Sequence, residues 1–134
     1  MRRPLVPLAA LVVTAATFAA CSSDTTAPAN AAVGTYLLRS VNNTSLPVST
    51  GNGNGEQLVD EHLQINADGT YADTVFYASP ISFRTDVTTA SWSNDGGTFR
   101  LFDKSSGSTI IQGSLSGSAL TLARPGISKS YAKQ

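Results

Sequence analysis

The sequence has one cysteine, one histidine and one tryptophan in 134 residues, and only 13% of its residues are charged. A single cysteine excludes an internal disulfide framework and any CxxC zinc or redox motif. A single histidine, without a second cysteine, falls short of the three or four ligands a zinc site needs. Nucleophilic catalysis by serine would need that histidine as its base, held by a third group, and no G-x-S-x-G string is present. The formal net charge is +0. That leaves no electrostatic case for nucleic acid, which calls for a basic stripe or patch. From Val33 onward no window has helical period.

What is present points to export and to strands. Hydrophobic residues make up 41% of the chain, too many for a disordered protein of zero net charge. The N-terminus has the three parts of a secretory signal: basic Arg2 and Arg3, a mostly apolar run from Leu5 to Ala16, and small Ala19 and Ala20 before a cleavage point. The apolar run is short for a membrane span, which takes roughly 20 residues, and Pro4 and Pro7 weaken it further as a permanent helix.

"FAAC" (18–21) resembles the lipobox of bacterial lipoproteins, with Phe18 in the place where leucine is usual. The resemblance implies that Cys21 carries a diacylglyceryl group on its thiol and becomes the first residue after cleavage. Each buried CH₂ contributes about 0.8 kcal/mol and one chain anchors only marginally, so two or three chains on one cysteine give a durable membrane anchor. Ser22 follows where an aspartate marks inner-membrane retention in Gram-negative lipoproteins, which implies an outer-membrane address in such a cell. Three segments follow: a signal peptide over 1–20, the lipidated cysteine and a small polar tether over 21–32, and a domain over 33–134.

Within the domain, turn strings recur at "NADG" (66–69), "NDGG" (94–97), "SSGS" (105–108), "SGSA" (116–119) and "RPG" (124–126). They separate strands expected near 33–41, 57–66, 70–78, 81–93, 98–104, 109–115, 119–124 and 127–133. The expected fold is all-β: an antiparallel up-and-down meander of about eight strands closing into a small barrel, which removes both sheet edges. Side-chain alternation assigns Tyr36, Leu38, Val59, Leu63, Ile65, Tyr71, Val75, Tyr77, Phe99, Leu101, Ile111, Leu115, Leu120 and Leu122 to the interior, with Trp92 closing the long fourth strand. Glu61 falls between Val59 and Leu63 on that inner face. The Gly/Asn loop 43–56 is expected over or beside one mouth.

"VGTY" (33–36) looks like a relaxed G-x-W motif of lipocalins and related barrels, with Tyr36 for tryptophan. "GTYLLRSVNNTSLP" is similar to the opening of small bacterial lipocalin-like and META-type envelope lipoproteins. The resemblance implies a β-barrel with an apolar cup, and a basic residue from the last strand covering the Tyr36 ring; Arg124, Lys129 and Lys133 are candidates.

Chemistry-bearing clusters are sparse. "DEH" (60–62) puts Asp60 and His62 on one face of a strand, about 7 Å apart along it, with Asp73 or Gln64 as further partners for a partial metal site. With no second histidine or further cysteine to complete a site, a polar outer face is the favoured reading. "GNGNG" (51–55) lacks the following helix that a phosphate-binding loop uses. The expectation is a lipid-anchored, non-catalytic envelope protein without cofactor or metal, binding a small apolar or amphipathic ligand against Tyr36, Leu63, Tyr71, Trp92 and Phe99. The alternatives are a closed barrel acting as a structural or protein-interaction module and, more remotely, a hydrolase built on carboxylates that sequence does not bring together.

Overall fold

Alternation of apolar and polar residues, broken by Gly- and Asn-rich turns, produces a ladder of hairpins in the computed structural model, which describes residues 29–134. The leader, Cys21 and the tether up to residue 28 lie outside the described residues. One helical turn, α1 (Ala29–Ala32), precedes β1 (Gly34–Val41), β2 (Thr44–Ser45), β3 (Val48–Ser49), β4 (Gln57–Ile65), β5 (Thr70–Ser79), β6 (Ser82–Asp95), β7 (Thr98–Phe102), β8 (Thr109–Ser116), β9 (Ala119–Arg124) and β10 (Ile127–Lys133). Strands β4 to β10 pair antiparallel in sequence order, and β1 pairs with both β10 and β4. The chain is therefore an eight-stranded antiparallel barrel closed by β1, a lipocalin-like fold, with the two-residue β2 and β3 added in the loop after β1.

The expected strands reappear with ends shifted by at most two residues, apart from the additions in the 43–56 loop. Asn42 and Asn43 both take positive φ (50° and 64°) in the β1–β2 turn, a conformation that asparagine tolerates better than other non-glycine residues. The last four residues of the expected tether form α1, and Ala32 is buried against the barrel.

One interior assignment is corrected. Leu58, not Val59, points inward, because the β4–β5 register slips between Leu58 and Asp60 and leaves Val59 as an extra residue. A bulge of one residue reverses which side chains face the core on one side of it. A second bulge, between Leu38 and Ser40 on β1, brings Val41 opposite inward-facing Lys129.

The end of the barrel where β1 begins is the base. There the interior is filled by Tyr36, Leu63, Ile65, Trp92, Phe99 and Leu120, all buried. Eight strands leave an interior only just wide enough for side chains, and here aromatic rings fill it. The Trp92 and Phe99 rings stack 5.3 Å apart at 15°, and Trp92 Nε1 donates to the Asn66 carbonyl at 2.9 Å. Tyr36 Oη donates to the Ala32 carbonyl at 2.8 Å, so α1 plugs the base. Of the three basic candidates, Lys133 covers the Tyr36 ring: its Nζ lies 5.8 Å from the ring centroid, a cation–π distance, and donates to the Ala31 carbonyl.

Candidate functional site

The opposite end, the mouth, is not filled. A cavity of about 220 Å³ lies between β5–β6 and β7–β10, with Val75, Leu101, Ile111 and Leu122 among its apolar walls. A second lobe of about 360 Å³ shares Tyr77, Arg124, Ile127 and Lys129 with it, and is completed by Leu58 and by Val48 to Thr50. The loop after β1 thus forms one wall of the mouth, where the Gly/Asn stretch was expected. Its Thr50–Glu56 contacts close it on itself.

The middle of the barrel is polar. Glu61 is 0% exposed, one carboxylate oxygen accepting from Lys129 Nζ and the other from Tyr131 Oη. Burying a carboxylate is costly unless it is paired and hydrogen-bonded, and Glu61 has both kinds of contact. Tyr131 stays a donor, because burial and the Glu61 charge hold its phenol well above the ordinary range.

Asp73 stands beside this group and lines the cavity. Its Oδ1 is buried without a hydrogen-bond partner. Burial, then the Glu61 charge and a hydrogen bond to Glu61, raise its pKa to about 7. Asp73 therefore gains and loses its proton near neutral pH.

Asp73 is placed differently from the sequence expectation. It shares the inner face of β5 with Tyr71, Val75 and Tyr77, while Asp60 and His62 lie on the outer face of β4. Asp60 Oδ2 and His62 Nε2 are 2.9 Å apart, and the His62 ring meets Phe76 edge-on at 5.3 Å. Gln64 is taken up by Thr35. Asp60, His62, Gln64 and Asp73 do not converge, and among the described residues no three His, Cys, Asp or Glu side chains are grouped to hold a metal.

Of the expected ligand contacts, Tyr36, Leu63, Trp92 and Phe99 pack in the filled base, and only Tyr71 reaches the cavity. Glu61, Asp73, Lys129 and Tyr131 were not singled out as a group. Glu61 and Asp73 had a signal in period-2 placement, since each shares a face with residues assigned to the interior, whereas no residue of 127–133 had been so assigned. No known protein family, curated protein or solved structure matches the chain.

Proposed function

We propose that this is a bacterial envelope lipoprotein of the lipocalin-like or META-like kind, acylated on Cys21, whose barrel holds a small amphipathic molecule without transforming it. The observation that carries the reading is the division of the interior: packed at the base, hollow at the mouth, with apolar walls above a hydrogen-bonding floor. Ligand cavities are typically about 300–1,000 Å³, mostly apolar, with a few placed polar groups; two lobes sharing four residues suit a compact ligand. Its apolar portion would lie against Val75, Leu101 and Leu122, and its polar end would lie toward Asp73 and Lys129. Lys133 over Tyr36 adds support for the lipocalin-like reading, and "FAAC" for the anchor. The membrane is then the partner through lipid on Cys21, at the outer membrane in a Gram-negative cell, and nucleic acid is not a partner.

A hydrolase reading has one point in its favour, the meeting of Glu61 and Asp73. Against it, both Glu61 oxygens are occupied and the residue has no exposed surface, so only Asp73 faces the cavity. A paired-carboxylate mechanism needs both groups at the substrate, about 5 Å or more apart. A closed, dry barrel has the cavity itself against it.

Native mass spectrometry of the protein taken from cells should show a co-purifying amphiphile. Val75→Trp, which fills the cavity, should abolish it. Absence of any adduct, together with no binding of an apolar fluorescent probe, would remove the binding reading. For the anchor, Cys21→Ser should release the protein from membranes into the aqueous phase of a detergent partition. Retention with the membranes would remove the lipidation reading.

A further inference from the structure

The barrel is closed at its base but not along its whole height. β6 pairs with β5 from Ser82 to Ser91, but it pairs with β7 only from Trp92 to Asp95. Among the described residues, the edge of β6 from Ser82 to Ser91 carries no strand. Such an edge is a template for another strand. It is also apolar where it should be protected: Ile81, Phe83 and Val87 are 93%, 87% and 64% exposed.

The hydrogen-bonding phase of the edge follows from one contact. Trp92 N–H donates to the Gly69 carbonyl, toward β5. In an antiparallel ladder alternate residues turn their backbone groups to the same neighbour. With no bulge in the β5–β6 register, Arg84, Asp86, Thr88 and Ala90 also face β5. Phe83, Thr85, Val87 and Thr89 turn their N–H and C=O groups outward.

We propose that this edge pairs with the same edge of a second copy, antiparallel, about a two-fold axis at Thr85. A two-fold interface requires a surface complementary to itself, and this register supplies it on both faces. Phe83 falls opposite Val87 of the second copy on the outer face, an aromatic–β-branched pair of the favourable kind. Arg84 falls opposite Asp86 of the second copy on the inner face. Within one chain Arg84 already contacts Asp86 and, at 3.3 Å, Glu56, and lies 4.1 Å above the Tyr77 ring. A second Asp86 extends that network. The neighbouring registers with the same hydrogen-bond phase lose the match. An axis at Val87 sets Arg84 against Ala90, and an axis at Phe83 sets Asp86 against Pro80. Thr85 lies about 23 Å along β6 from Trp92, at about 3.3 Å per residue, so the strands meet at the projecting tip.

The test uses the full chain with Cys21→Ser, in detergent, with a single new cysteine on the edge. Thr85→Cys should link to itself through a short bismaleimide, at least fivefold more than Thr89→Cys. Arg84→Asp in that background should reduce linking about tenfold, and Arg84→Asp with Asp86→Arg should restore it. Equal linking at both positions, or no recovery in the double reversal, overturns the proposal. So does a dimer-free sample in which the Phe83, Thr85 and Val87 amides resist hydrogen exchange, because a segment of the same chain would then cover the edge.

Discussion

Asp60 and Asp73 have the same side chain and opposite situations, decided by which face of a strand each occupies. Asp60 is solvated beside His62, whereas Asp73 is held at a pKa of about 7. An acid whose folded pKa is raised binds a proton that the unfolded chain does not, so stability falls as pH rises between the two values. For Asp73 that window runs from 3.8 to about 7. Asp73→Asn should therefore gain on the native protein by roughly 3–4 kcal/mol between pH 4 and pH 8, at about 1.4 kcal/mol per unit. Urea unfolding at pH 4, 6 and 8 measures it, and a difference that does not change with pH would contradict it. Lys129→Met removes the cation beside Glu61 and should cost about 3–5 kcal/mol, because a buried charge is left unpaired. Adding Glu61→Gln to Lys129→Met should recover much of the loss in the same measurement.

At the scale of elements, the β8–β9 pairing rests on one missing side chain. Gly113 lies opposite Phe99 on β7 and Leu122 on β9. A Cβ there would come within 1.8 Å of the Thr121 carbonyl oxygen and 2.9 Å of Leu122 Cδ2. The first of these is backbone and cannot move aside cheaply, so Gly113→Ala must force β8 and β9 apart. The expected loss is about 3 kcal/mol, at the upper end of ordinary overpacking, with the change concentrated in β8 and β9 amides by hydrogen exchange. Uniform weakening of all strands would argue against the local cause. The bulge at Val59 acts at the same scale. It allows Leu58 to face the second lobe of the mouth while Glu61, Leu63 and Ile65 keep their inward phase toward the base.

Taken whole, the barrel is a packed base carrying a hollow mouth, and the two halves should respond separately. Phe99→Ala empties a fully buried site and should cost about 3–5 kcal/mol while leaving probe binding at the mouth within twofold. Val75→Trp should do the reverse, abolishing binding with a small change in unfolding free energy. Trp92 emission should not respond to a ligand in the mouth, since its ring is stacked on Phe99 in the base. A shift on titration would place the ligand deeper than the cavity described.

Much of this molecule is written locally in the chain. Strand period, turn residues and the absence of helical windows determine the hairpin ladder, because each hairpin is specified by residues near one another in sequence. The lipobox-like run around Cys21 is equally local. The inward phase of Glu61 was legible for the same reason, and that of Asp73 follows from its parity with Tyr71 and Val75. What only the tertiary structure decided is what meets across the barrel. Lys129 and Tyr131 reach Glu61 from a strand 68 and 70 residues away, Lys133 rather than Arg124 or Lys129 covers Tyr36, and Leu58 replaces Val59 in the interior through a bulge. The division into filled base and open mouth belongs to the same class. Alternation says which side chains point inward, but the space left among them depends on the closure of eight strands whose contacts are distant in sequence.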